Sequence, residues 1–158
     1  MQEMSTPDIE QFLGRAGHAV LALSAGGDAY AIPVLYGRDE NAFYFHMRPG
    51  MKDDYLAATK QACLLVSEVA SADSWRSVHV LGRIERLTGA AARAATDGAL
   101  RRVPFPPDWA LGPEETARRT GKGSLVWRLM PGTITGRESR PGVIQAAGAK
   151  SVPVRSQL

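Results

Sequence analysis

Three short apolar runs follow one another between residues 18 and 47, and only tight polar turns separate them. The first, His18 to Ala25, and the second, Ala29 to Tyr36, are joined by Gly26-Gly27-Asp28, which predicts a β-hairpin. The third run, Ala42 to Met47, begins after another polar turn. Strands this close in sequence pair antiparallel, because a parallel connection needs a crossover of a dozen or more residues. The sequence therefore predicts an antiparallel sheet.

The rest of the chain adds strands and helices to this sheet. Apolar alternation predicts further strands at Ala62 to Val69, Trp75 to Leu87, Ser124 to Met130 and Thr133 to Arg137. Helical spacing and end signals predict helices at Pro7 to Ala16 with Thr6 as its cap, at Met51 to Thr59, after a Thr88 cap to about Arg102, and a short one from Gly112 that Gly121 ends. We predict a mainly β fold with α, in which six or seven strands form a small antiparallel barrel with short flanking helices.

Two residues inside the predicted strands constrain the sheet further. Pro33 has no backbone N–H to donate, so it belongs at an edge, at a bulge, or where the ladder of hydrogen bonds is interrupted. Gly82 lies inside a long strand and predicts a bulge or a close backbone contact.

Composition limits the class of protein. A chain of 158 residues favours one domain, which we place at 1–140, followed by a flexible tail at 141–158 that is rich in Gly, Ala and Ser. The net charge of +3 is small and spread along the chain, which argues against a nucleic-acid partner. Cys63 is the single cysteine, so an internal disulfide is impossible, and its apolar surroundings predict a buried thiol. No run reaches the length of a membrane span, and we expect no membrane association and a cytoplasmic protein.

The segment after the third strand predicts an anion site. It reads Pro49-Gly50-Met51-Lys52, with the lysine in the first turn of a helix. A helix start offers unpaired N–H groups and a positive dipole end, both of which suit a phosphate. A lysine at this position is unfavourable unless an anion lies nearby.

Other chemical motifs fail on inspection. Gly121-Lys122-Gly123-Ser124 lacks the hydroxyl residue and the upstream glycine of a P-loop. His18, His46 and His79 lie on three separate predicted strands with no zinc-ligand spacing, so we predict no metal site.

Three segments considered together resemble a known superfamily. They are Ile32-Pro33-Val34-Leu35-Tyr36-Gly37, Phe45-His46 with Pro49 to Lys52, and Trp75 to Arg83. In this order and spacing, and with Val-Trp-Arg-Leu-Met-Pro at 126–131, the chain resembles the pyridoxamine 5′-phosphate oxidase-like FMN-binding split barrels. It is most similar to the small nitroimidazole-resistance-type flavoproteins. The resemblance covers residues 5 to 137.

The resemblance implies an FMN cofactor at the interface of a homodimer. The strand with Ile32, Pro33, Val34, Leu35 and Tyr36 would lie along the isoalloxazine ring. Phe45 and His46 would contact the flavin and its ribityl chain. Lys52 would bind the phosphate, helped by the backbone of Met51 and the hydroxyl of Ser77. Trp127 and Arg128, which come late in the sequence, would approach the cofactor from the partner subunit or from the same one.

The implied activity is the two-electron reduction of a small electrophile, such as a nitro compound or a quinone. Tyr36 stands where true pyridoxamine-phosphate oxidases carry a basic residue, which argues against vitamin oxidation. The sequence does not identify a catalytic residue. Two alternatives remain open: the same fold with a deazaflavin or haem, and a flavin-binding or redox-sensing module without turnover.

Overall fold

The computed structural model describes residues 1–100 and 125–140. Eight strands and three helices make up this part of the chain. In chain order they are β1 (Gln2–Glu3), α1 (Thr6–Ala16), β2 (His18–Ala25), β3 (Asp28–Leu35), β4 (Gly37–Arg38), β5 (Phe43–Met47), α2 (Lys52–Ala58), β6 (Gln61–Ser71), β7 (Ser74–Leu87), α3 (Ala90–Leu100) and β8 (Leu125–Ser139).

All eight strands join one antiparallel sheet in the order β3-β2-β6-β7-β8-β5-β4, and β1 pairs with β8. The two ends of this path come together, because β3 runs into β4 through the single residue Tyr36. β3 also lies next to β5. The sheet thus curls into a barrel that is split between β3 and β5, which confirms the predicted fold class. The two-residue strands β1 and β4 raise the strand count above the predicted six or seven.

The first helix begins one residue earlier than predicted. Its cap is Ser5, whose Oγ accepts a hydrogen bond from the Asp8 N–H, so Thr6 is already helical and Pro7 follows it. Gly17 ends the helix in the left-handed conformation, at φ 68°. The prediction of Thr6 as the cap is therefore wrong, because two adjacent hydroxyl residues could both cap and the chain uses the first.

The third helix starts later than predicted. Gly89 takes a φ of 93°, and its carbonyl accepts the first helical hydrogen bond, from the Arg93 N–H. Gly89 rather than Thr88 therefore occupies the cap position.

The pairing of β7 with β8 contains a β-bulge. Leu81 pairs with Thr133 but Gly82 pairs with Pro131, so one residue of β8 is extra. A Cβ on Gly82 would lie 2.1 Å from the carbonyl oxygen of Met130, and only glycine fits there. The predicted bulge is confirmed. The predicted break at 131–132 is wrong, because the bulge absorbs the proline and glycine within one continuous strand.

The inward-facing side chains of the sheet form the core under α1. The fully buried members include Phe12, Leu13, Leu21, Phe45, Leu64, Val66, Val78, Val80, Ile84 and Leu129.

The opposite side of the sheet carries two rows of cross-strand neighbours, which we call the outer face. The first row is Pro33, Val20, Leu65, His79 and Thr135, and the second is Ala31, Ala22, Cys63, Leu81 and Thr133. Cys63 is therefore half-buried on this face and not in the core, although burial still raises the pKa of its thiol.

Of the helices in the described part, none combines the length and apolar character that a membrane crossing requires. Several predictions lie outside the described residues. They are the proline-rich loop at 103–112, the short helix at 112–121, the start of the last strand at 124 and the tail at 141–158.

Candidate functional site

The split in the barrel is the candidate site, and we call it the β3–β5 opening. β3 pairs with β2 along its whole length, and no strand of the described ranges 1–100 and 125–140 pairs with its other edge. β5 pairs with β8 on one side, while β4 covers only Phe43 and Tyr44 on the other. Backbone groups of β3 and of the end of β5 thus face each other across the opening.

Pro33 has a reason for its place in β3. Because β3 is an edge strand, a residue without an N–H is tolerated there, as predicted. Its neighbours Ile32 and Val34 point to the core side, while Pro33 lies on the outer face. Leu35 is half-buried at the end of the strand.

α2 closes the end of the opening where β5 finishes. The ring of Tyr55 stacks on Tyr30 of β3, with centroids 5.1 Å apart and 21° between the planes. Leu56 is buried beneath the helix. The helix runs one residue shorter at each end than predicted, with Met51 as a cap that makes no side-chain hydrogen bond.

The start of α2 carries one cation and two acids. Lys52 is half-buried, and a Cβ on Gly50 would lie 3.6 Å from its Nζ. The Gly50 N–H is already used, because it donates to Asp53 Oδ2 at 2.7 Å, and the N–H groups of Asp53 and Asp54 donate to backbone carbonyls. Asp53 Oδ1 is buried and has no hydrogen-bond partner. The positive character at this point therefore comes from the lysine more than from free amides.

Tyr36 is a structural residue. Its N–H donates to the Gly17 carbonyl at 2.9 Å and its hydroxyl donates to the Leu13 carbonyl at 2.7 Å. Its ring packs against Phe43, and burial raises the pKa of the phenol far above its ordinary value. Only its backbone carbonyl remains to serve a ligand.

Phe45 and His46 point in opposite directions from β5. Phe45 is fully buried in the core. His46 turns to the other side, where its Nε2 lies 2.6 Å from Oδ1 of Asp97 in α3 and its side chain is 3% exposed. The two residues therefore share a backbone at the opening but not a side-chain environment.

The last two predicted residues also lie on opposite faces. Trp127 pairs with Phe45 and is 7% exposed, and its buried Nε1 has no hydrogen-bond partner among residues 1–100 and 125–140. Arg128 pairs with Tyr44 and donates to Glu85 from Nε at 3.0 Å and from Nη2. This hydrogen bonding holds the pKa of Glu85 below its ordinary value.

Two other predicted site residues, Met51 and Ser77, lie far apart on different elements: Met51 at the start of α2 and Ser77 on β7. Met51 is 65% exposed beside Lys52. Ser77 faces outward on β7, opposite Arg137. The cross-strand register leads from Ala31 through Ala22 and Cys63 to Leu81, and Ser77 lies four residues before Leu81 on β7, about 13 Å along the strand. Within one chain, the strand register therefore separates Ser77 from Lys52.

The sequence reasoning missed three residues that shape this region. Asp97 holds His46, Asp53 occupies the Gly50 amide, and Tyr55 stacks on Tyr30. The Asp53 contact had a sequence signal, since an acid in the first turn of a helix often reaches back to the cap region. The other two contacts join residues that are 51 and 25 positions apart, and no local pattern predicts them.

Comparison with known proteins adds a family match. A family model described as pyridoxamine 5′-phosphate oxidase matches residues 5–138. An uncharacterised protein of Rhizobium meliloti (strain 1021) is 30% identical over 84 residues, which are 53% of this chain and 56% of that protein. The match therefore spans about half the length of this curated relative.

Solved structures share the fold. An FAD-binding protein from Mesorhizobium loti aligns over 88% of this chain and 96% of its own, with a TM-score of 0.71 and 21% identity. A putative 5-nitroimidazole antibiotic resistance protein from Bacteroides thetaiotaomicron aligns over 85% of both chains (0.67, 17%). An FAD and haem binding protein from Mycobacterium smegmatis aligns over 99% and 89% (0.66, 17%). At these identities the similarity establishes the fold alone.

Proposed function

This chain belongs to the pyridoxamine 5′-phosphate oxidase family, and on that premise we propose that it is a flavoprotein that holds FMN in the β3–β5 opening. The observation that carries the proposal is the edge of β3 that no strand of the described residues covers, together with the half-buried Lys52 on α2, whose Tyr55 stacks on Tyr30 of β3. An unpaired strand edge offers backbone donors and acceptors to a planar heterocycle, and a lysine offers charge to a phosphate.

The residues around the opening fit such a group. No acceptor among the described residues reaches the buried Nε1 of Trp127, which lies on the strand that pairs with β5, and an unsatisfied buried donor costs about 1 to 3 kcal/mol. An acceptor atom brought by a ligand would remove that cost. Of the two lysines in the described residues, Lys52 lies near the opening and Lys60 lies beyond the far end of α2.

The chain's own groups would then divide the binding. Backbone groups of Ile32, Pro33, Val34, Leu35 and the carbonyl of Tyr36 would line the ring, because their side chains either pack in the core or lie on the outer face. Lys52 would hold the phosphate, with Met51 beside it. Arg128 is already paired with Glu85. It would contribute to cofactor binding only if this ion pair opens or if the guanidinium group contacts Glu85 and the cofactor together.

We extend the proposal to a homodimer formed through the outer face. Val20 is 37% and Leu81 49% exposed on the outer face, among small apolar residues and the polar His79, Thr133 and Thr135, and exposed apolar side chains grouped together mark interaction sites. Ser77 lies on the same side of the sheet as these residues. A two-fold axis through this face would bring Ser77 of one subunit towards the opening of the other, which one chain alone does not do.

A bound flavin supplies electron transfer, and the proposed reaction is the two-electron reduction of a small electrophile such as a nitro compound or a quinone. The role of the protein is to bind the group, keep its ring between apolar walls and limit access of water. A cytoplasmic location remains part of the proposal.

The test is the visible spectrum of the purified protein, together with mass spectrometry of the small molecule released on heating. We expect a flavin spectrum and FMN. Release of FAD would keep the flavin and overturn the FMN assignment, and a haem or deazaflavin spectrum would support the corresponding alternative. A colourless protein that stays colourless after addition of FMN would overturn the proposal. Bound FMN without oxidation of NADH or NADPH by any such acceptor would favour the module without turnover.

A further inference from the structure

The contact between His46 and Asp97 links the candidate site to α3. Nε2 of His46 and Oδ1 of Asp97 are 2.6 Å apart, and the histidine side chain is almost completely buried while the carboxylate is one-third exposed. A carboxylate only accepts hydrogen bonds, so the proton lies on Nε2 of the imidazole. The contact therefore fixes both the orientation and the tautomer of His46.

Within the part of the chain that the structure describes, the apolar attachment of α3 to the sheet is small. It is rich in alanine, and its buried residues are Thr96 and Ala99. Ala99 packs with Ala42 and Tyr44 on the sheet, which is a small apolar contact. A Cβ on Gly37 would lie 2.3 Å from the backbone carbon of Ala99, so the helix touches the backbone of β4 directly. The His46–Asp97 contact is the matching attachment on β5.

These two attachments hold β4 and β5, the two strands that follow β3 along the chain. Gly37 comes directly after Tyr36, and His46 precedes the turn that leads to α2. The backbone of β5 at Phe45 and His46 is thus supported from behind by α3, while the opening lies beside it. Loss of the attachment on β5 would let this backbone move relative to β3.

We propose that Asp97 is a positioning residue for the flavin site: acting through His46, it fixes the backbone of β5 at the opening. The imidazole of His46 then serves the helix and does not touch the flavin. The inference rests on the proposed function for its effect on affinity, but the tautomer of His46 is independent of any ligand.

The first experiment uses the protein without flavin. The chain has three histidines, so long-range proton–nitrogen NMR resolves each imidazole. We expect a proton on Nε2 of His46 in the wild type, and an Nε2–H resonance in Asp97→Ala that is shifted and exchanges faster with water. Alanine is the best helix former, so this change keeps the helix. The same Nε2–H shift and exchange rate in both proteins would overturn the contact.

The second experiment measures the dissociation constant of FMN. We expect Asp97→Ala to weaken binding about tenfold, since part of a charged hydrogen bond is transmitted to the site. Asp73→Ala removes the same charge in the exposed turn between β6 and β7 and should leave affinity unchanged. His46→Gln keeps an amide donor for Asp97 and should retain more FMN affinity than His46→Ala, which removes the donor.

The outcomes separate the inference from the proposed function. Unchanged affinity in Asp97→Ala, or an equal loss of affinity in His46→Gln and His46→Ala, would overturn the positioning role, and the equal loss would point to direct contact of the imidazole. If the wild type binds no FMN, the proposed function fails, while the NMR result still decides whether Asp97 fixes His46.

Discussion

The hydroxyl of Tyr36, on the link between β3 and β4, donates a hydrogen bond of 2.7 Å to the carbonyl of Leu13 in α1. The residue is therefore part of the scaffold beside the opening. We expect Tyr36→Phe to lower the free energy of unfolding by about 0.5 to 1.5 kcal/mol, because it removes a buried hydrogen bond. Urea denaturation measures this change. Tyr30→Phe removes a half-buried hydroxyl without such a bond and should cost less than about 0.5 kcal/mol. Equal losses in both variants would contradict this account.

The close approach of Gly82 to Met130 predicts that a single added methyl group at position 82 strongly destabilises the fold. Gly82→Ala would place its Cβ 2.1 Å from a backbone oxygen that cannot move freely. We expect a loss of about 3 kcal/mol or more, or no folded protein. Gly14→Ala is the control, since nothing lies within 4 Å of its Cβ position in α1, and it should stabilise the protein by up to about 1 kcal/mol. Thermal unfolding of the two variants compares them, and a well-folded Gly82→Ala would refute the bulge.

The pair of Arg128 and Glu85 predicts a pH dependence. The hydrogen bonds from Arg128 hold the pKa of Glu85 in the folded chain below 4.5, its ordinary value. A carboxyl with a lowered pKa contributes stability above its unfolded pKa and loses it as the pH falls through the folded pKa. The difference in stability between wild type and Glu85→Gln should therefore be constant above pH 4.5 and shrink below it. A difference that grows towards acid pH would contradict the assignment. The effect is small, because both side chains are partly exposed.

The outer face predicts a measurable change in assembly. Leu81→Lys would place a charge in the middle of the apolar surface that we assign to the homodimer. We expect a dimer for the wild type and a monomer for the variant in sedimentation velocity. Gln11→Lys adds the same charge on the exposed surface of α1 and should remain dimeric. A monomeric wild type would exclude the interface.

Much of the fold follows from local patterns in the sequence. β2, β3, β5, β6, β7 and the three described helices were predicted within a few residues, because alternation, helical spacing and glycine signals are local. β1 and β4 are two residues long and exist only because β8 and β5 pair with them. Their formation depends on tertiary contacts, which local propensity does not report.

The candidate site was predictable in part. The residues on β3, β5 and α2 follow from the resemblance, and the structure groups them around one opening. The opposite directions of Trp127 and Arg128 follow from strand alternation once both are placed on β8. The partner of His46 did not follow from the sequence, because α3 meets β5 only in the folded chain.

The central claim is that the ammonium group of Lys52 binds the phosphate of FMN. The most direct measurement is a titration of wild type, Lys52→Ala and Lys60→Ala with FMN and with riboflavin, which lacks the phosphate. Lys60 is exposed beyond the other end of α2 and provides a control of equal charge. We predict that Lys52→Ala weakens FMN binding about 10- to 100-fold, leaves riboflavin binding unchanged, and that Lys60→Ala changes neither. Unchanged FMN affinity in Lys52→Ala, or an equal loss for riboflavin, would contradict the account.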